Sequence, residues 1–174
     1  MSRWKLWVLG AASIVVRVVT WTAGTVFRIR YARFVMLDSA AKRAVERGAL
    51  DTASVRAGEL LALADGYPQD WNYGNAIHDG HLVLGRVALA LGDVEKAKDE
   101  LLAAGRTPGS PQLNSFGPNM RLAEDLLRVG ERDVVLQYFE LCDTFWEMNR
   151  GRLSQWSAEV QDGRAPTFGP NLVY

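Results

Sequence analysis

HDGHLVLGRVALALGDVEKAKDELLAAGRTPGSP, residues 78–111, decides the fold. Leu82, Gly85, Ala88, Leu89 and Gly92 recur at offsets of three and four, so they share one helix face. Gly85 and Ala88 carry almost no side chain, and a second helix can approach closely there. Gly92-Asp93 ends the helix: Gly tolerates the left-handed conformation past a helix end, and Asp93 can cap the next helix. Val94, Ala97, Leu101 and Ala104 then mark the buried face of that second helix, which Gly105 and Pro108 stop. The stretch is a helix–turn–helix.

The register recurs on both sides. From Gly85, offsets of +7, +9, +12, +16 and +19 reach Gly92, Val94, Ala97, Leu101 and Ala104. From Ala41 they reach Gly48, Leu50, Ala53, Ala57 and Leu60; from Ala123, Gly130, Arg132, Val135, Phe139 and Cys142. Leu84-Gly85, Ala88, Gly92, Val94, Ala97, Leu101, Ala104 and Pro108 fall on or beside the signature positions of a tetratricopeptide repeat, and the chain resembles that family. The repeat is a unit of about 34 residues, and roughly three units are needed to share a core. The consensus tryptophan is absent, and Ala88 stands where a tyrosine is usual. The resemblance implies an all-α fold: a short α-solenoid of about three helix pairs, stacked right-handedly.

Tyr31–Gly48 and Thr52–Ala64 are expected to form the first pair, with Asp51 as N-cap. Asp70 is expected to cap a helix over Trp71–Leu91, followed by Val94–Ala104. Thr107–Pro118 reads as a connector, and Pro118 suits the first turn of the next helix. A helix over Asp133–Asn149 presents Val134, Tyr138, Leu141, Phe145 and Met148 on one face. Arg152–Val160, with Trp156, is expected to cap the open end of the stack. The tail's FGPN (Phe168–Asn171) echoes FGPN at Phe116–Asn119. The echo is either the stub of a fourth repeat or a loop that docks beside its twin. The chain thus divides into an N-terminal segment 1–33, a repeat domain 34–163 and a tail 164–174.

The composition, 48% hydrophobic and 23% charged with zero net charge, is that of a globular chain. Zero net charge argues against a nucleic-acid partner held through phosphates. The charge is unevenly spread: the first 33 residues hold Arg3, Lys5, Arg17, Arg28, Arg30 and Arg33 and no acid. The rest holds fourteen basic and twenty acidic residues. The single cysteine, Cys142, permits no intrachain disulfide and occupies a small buried slot of the register.

Leu6–Phe27 has one charge, Arg17, and suits a spanning helix in length. Ten residues of Leu, Ile, Val or Phe give roughly −3 to −6 kcal/mol of insertion energy, and a central Arg costs roughly +2.5 to +3.5. The segment can also be read as a surface helix with Trp4, Trp7 and Trp21 at the interface, a signal peptide, or a β-hairpin through Val26–Tyr31. Membrane association through residues 4–27 is the expectation. If Leu6–Phe27 spans, the basic cluster after it (Arg28, Arg30, Arg33, Lys42 and Arg43) outweighs Arg3, Lys5 and the N-terminal amine, and the positive-inside rule then places the repeats on the cytoplasmic side.

The chain carries no phosphate loop, no GxSxG, no HExxH and no paired cysteines. The expectation is therefore a non-enzymatic interaction module without cofactor or metal. The repeat resemblance implies a concave groove lined by the first helix of each pair, binding a peptide or protein. Carried from the Gly85 register, its positions are Asp79, Leu82, Arg86 and Leu89, then Asp38, Lys42 and Val45, then Met120, Glu124 and Leu127. Asn75 and Asn119, with Gln112 and Asn114, form either a polar pocket or a set of amides tying down a loop. Asp38, Lys42, Asn75, Asp79, Arg86, Asn119 and Glu124 are the candidate binding residues. The alternative is a small enzyme or ligand-binding protein using His78 and His81, which share a helix face. Against it, His81 would lie on the packing face and bond the connector's backbone.

Overall fold

The computed structural model describes the backbone of residues 3–173 and the side chains of residues 25–173. The described residues form eight α-helices and two short 3-10 helices, with no strand. The helices are α1 (Arg3–Glu46), α2 (Leu50–Ala64), α3 (Tyr73–Ala90), α4 (Val94–Gly105), α5 (Pro111–Phe116), α6 (Arg121–Arg128), α7 (Arg132–Asp143) and α8 (Arg152–Gln161). The chain divides into two units, 1–35 and 36–174.

In the first unit Val26, Phe27 and Ile29 are exposed, and the Phe27 and Tyr31 rings stack at 6.4 Å. Helix through Val26–Tyr31 removes the hairpin reading. The side chains of Trp4, Trp7, Arg17 and Trp21 lie outside the described residues. Among the described residues, no helix is long and apolar enough to cross a membrane.

In the second unit, three turns repeat the same hydrogen bonds. Gly48, Gly92 and Gly130 have φ of 71°, 84° and 94°. Each donates to the carbonyl three residues back, and the next residue donates five back: Asp93 to Ala88, Ala49 to Ala44, Glu131 to Leu126. This is the Schellman geometry, which only glycine enters without cost. Beyond each turn the register positions are closed off from solvent: Ala53, Ala57 and Leu60; Ala97, Leu101 and Ala104; Val135, Phe139 and Cys142. Leu82 and Met120, expected on a groove, are fully buried in the core, and Val45 is buried as well.

Local chemistry moves several helix ends from their expected places. Asp51 lies inside the first turn of α2 and caps nothing; the N-cap position is Ala49. Asp70 accepts from the Asn72 amide in a turn, and α3 begins at Tyr73. The connector contains α5, because Ser110 caps it by accepting from the Leu113 amide and Pro111 pre-sets its first turn. Pro118 therefore precedes α6 without entering it. α7 stops at Asp143, where the Thr144 hydroxyl donates to the Leu141 carbonyl and Phe145 and Trp146 turn into the core. Met148 is half exposed.

Each pair packs on the next: α2 and α4 on α3, α6 and α7 on α4, and α8 on α7. Trp156 of α8 closes the end of the core, 5.8 Å from Trp146, 6.0 Å from Phe139 and 5.0 Å from Phe168 between ring centroids. The second FGPN docks on the first. The Asn171 amide nitrogen donates to the Phe116 and Pro118 carbonyls at 3.1 and 2.9 Å, and the Met120 amide donates to the Asn171 carbonyl at 2.7 Å.

Candidate functional site

A cavity of about 270 Å³ opens where the end of α1, the start of α3, the Phe116–Asn119 loop and the tail meet. Its charged wall follows from helix spacing. Asp38 and Lys42 are one turn apart on α1, and the Lys42 ammonium donates to Asp38 at 3.0 Å. The same ammonium reaches Asp79 of α3 at 2.5 Å, so one cation bridges two carboxylates on two helices. The other Asp79 oxygen meets His78 Nδ1 at 2.7 Å. His78 Nε2 lies 3.0 Å from the Tyr138 hydroxyl, which is 3.2 Å from the Asn119 carbonyl.

The donor roles in this chain are constrained. His78 Nδ1–H donates to Asp79, since an ionised carboxylate only accepts. The Tyr138 hydroxyl has one proton for two neighbours. It donates to His78 Nε2 when the ring carries one proton, and to the Asn119 carbonyl when the ring carries two. His78 and Tyr138 are both fully buried, so the chain ties α3 to α7 out of reach of solvent.

The two carboxyls are pushed apart. Burial raises Asp79, but the hydrogen bond from His78 and the charge of Lys42 together outweigh it and hold the carboxyl at about 2. Asp38 has only part of Lys42: burial and then the charge of Asp79 push it up to about 6. Burial lowers Lys42, yet the two carboxylates raise it above the usual lysine value.

Five buried side-chain polar atoms among the described residues lack a hydrogen-bond partner, and three belong to residues of this cavity: Asp38 Oδ1, Asn119 Nδ2 and Asn171 Oδ1. The amide orientations are fixed by the bonds made at the other end. Asn119 Oδ1 accepts from the Arg121 amide at 2.9 Å, and Asn171 Nδ2 is bound to two carbonyls. Each unpaired buried group costs about 1–3 kcal/mol.

Of the candidate residues, Asp38, Lys42, Asn75, Asp79 and Asn119 all line this cavity. Asn75 also holds the connector, donating to Gln112 at 3.2 Å and accepting from the Ser110 hydroxyl at 2.5 Å. Arg86 lines a separate hollow of about 300 Å³ with Val45, Leu89 and Asp125. Glu124 pairs with Arg128 at 2.8 Å and Arg121 at 3.4 Å on its own helix. His81 bonds Glu100 of α4 at 2.7 Å, not the connector backbone. The two histidines thus have different partners, and no group of three metal-binding side chains occurs among the described residues. His78, Tyr138 and Asn171 complete the cavity and its support. The sequence marked His78 as one of two histidines sharing a helix face and Asn171 through the repeated FGPN; Tyr138 stood out only as a residue of an apolar helix face.

No protein-family model, no curated protein and no solved structure matches the chain.

Proposed function

We propose that the chain is a non-enzymatic docking module, a short α-solenoid resembling tetratricopeptide repeats, that receives a peptide or protein partner on the face made by the first helix of each pair. The observation that supports it is the make-up of the cavity. Its charged walls come from α1 and α3, the leading helices of the first two pairs, and α5, the Gly117–Asn119 loop before α6 and the tail close the rest; three of its residues each keep a buried hydrogen-bonding atom unsatisfied. Phe116 lies on the rim and is 77% exposed. Replacing it by photoreactive p-benzoylphenylalanine in the full chain should trap a defined partner, and the same replacement at the exposed Gln137 of α7 should not. Equal trapping at both positions removes the docking assignment.

The N-terminal segment is proposed to hold the module at a membrane, on the strength of its six basic residues, its lack of acids and its apolar run. Alkaline carbonate extraction tests this: a full-length chain released entirely without carbonate is not membrane-held.

An acid–base enzyme is the second reading, favoured by the separation of Asp38 at about 6 from Asp79 at about 2. Docking is preferred because His78 is fully buried and both Asp79 oxygens are occupied, leaving Asp38 alone to meet a substrate.

A further inference from the structure

We infer that α1 enters a membrane of anionic lipid end-on, with Arg28 and Arg30 at the level of the lipid phosphates. The inference rests on the membrane reading of the N-terminal segment and goes beyond it in naming the lipid class and the angle of entry.

In the first unit, Val26, Phe27, Ile29 and Val35 are 56%, 59%, 62% and 43% exposed, and Arg28, Arg30 and Arg33 among them are exposed too. No acid precedes Asp38. These side chains are not sorted into two faces. Counted from Val26 at about 100° per residue, Phe27 lies at about 100°, Val35 at about 180° and Ile29 at about 300° around the helix. On the same count Arg30 lies at about 40°, Arg28 at about 200° and Arg33 at about 340°. Exposed apolar groups thus point to every side, with arginines between them. A helix lying in the membrane surface turns a polar face to water, and this stretch has no such face. A helix entering along its axis meets lipid all round. There the arginine stems lie against acyl chains while the guanidinium groups reach phosphate.

Dimensions agree. The headgroup layer adds about 5–7 Å on each side of a hydrocarbon core of about 30 Å. From Arg28 to Arg33 the helix rises about 7.5 Å. The apolar run Leu6–Phe27 ends where Arg28 begins, and on α1 it rises about 33 Å. Charge selects the lipid. Near an anionic surface each arginine is worth about fivefold in partition. A second copy of the helix would set arginines against arginines with no acid between them. A soluble polyanion would leave Val26, Phe27, Ile29 and Val35 in water.

Two measurements on the full-length chain, diluted from detergent onto vesicles, test this. In the first, vesicles of phosphatidylcholine and vesicles of phosphatidylcholine with phosphatidylglycerol are mixed with the chain and then separated by density. The natural chain should favour the anionic vesicles by about twenty-five-fold or more, and Arg28→Gln combined with Arg30→Gln should lower that preference by about twenty-five-fold. In the second, Val26, Phe27, Ile29 or Val35 is replaced singly by cysteine; the natural Cys142 is fully buried and stays unlabelled. On anionic vesicles, labelling by a membrane-impermeant maleimide should rise in chain order from position 26 to position 35. Labelling ordered by helix side, with 26 like 29 and 27 like 35, overturns end-on entry. Equal division of the natural chain between the two kinds of vesicle, or a preference that the double variant keeps, overturns the anionic assignment and leaves the membrane reading standing. A chain that stays off both kinds of vesicle removes the membrane reading and this inference with it.

Discussion

Replacing Gly74 by alanine puts a methyl group where the connector's backbone already is. A Cβ on Gly74 would lie 1.8 Å from the Gly109 carbonyl oxygen and 2.4 Å from its carbonyl carbon. Gly109 cannot simply retreat. It sits at φ 82° against Phe145, and the connector is tied to α3 by the Thr107 hydroxyl donating to the Gly74 carbonyl at 2.7 Å. Overpacking costs about 1–3 kcal/mol, and loss of that buried hydrogen bond about 1–3 kcal/mol. Alanine returns about 1 kcal/mol of helix propensity. The net is a loss of about 3 kcal/mol, or a drop in Tm of about 6–12 °C for a chain of this size. Urea unfolding followed by circular dichroism measures it. Gly58→Ala is the internal control, because nothing lies within 4 Å of its Cβ, and it should gain about 0.5–1 kcal/mol. If both variants shift in the same direction, the close approach of α3 and the connector is not what glycine serves.

Asp38 takes its proton in the folded state at about 6, against an ordinary 3.8. The folded chain therefore binds more protons between those values, and stability falls as pH rises through 6. Measured against Asp38→Asn, natural-chain stability should fall by on the order of 2 kcal/mol between pH 4.5 and 7.5; a flat difference contradicts the burial of this carboxyl. Cys142 is fully buried and burial pushes its thiol up, so a thiol reagent should label it only when the chain unfolds, at a rate that rises with urea. Trp156→Ala removes the ring in contact with Phe139, Trp146 and Phe168 and should cost about 3–5 kcal/mol in the same urea assay. Asn171→Ala should free the tail, seen as faster cleavage by protease after Gln161, with α2 to α4 unchanged.

The helix pairs were legible because their signal is local. A glycine seven residues past each small residue marks a backbone that only glycine enters cheaply, and Ala97, Leu101 and Ala104 follow at fixed helical spacing. Helix ends were less legible, since they turn on single side chains. Nothing in the spacing separates the capping Ser110 from the non-capping Asp51. The cavity was half legible. Asp38, Lys42 and Asp79 stood out as charges at groove positions, and Asn75 and Asn119 as amides in awkward places. The bond from His78 to Tyr138 joins residues 60 apart, and tyrosine on a helix's apolar face looks like packing alone. Leu82 and Met120 were misplaced because periodicity shows which residues share a helix face, not whether that face meets solvent or a third helix. Here the core around α6 and α7 covers it.

Hydrogen–deuterium exchange on the chain alone and in complex with the partner recovered on a tagged full-length chain tests the docking claim most directly. Slowed exchange is predicted in residues 38–42, 75–79, 112–119 and 170–173 together, with α7 and α8 unchanged. Protection centred on α7 and α8, with those four segments exchanging as before, would contradict it.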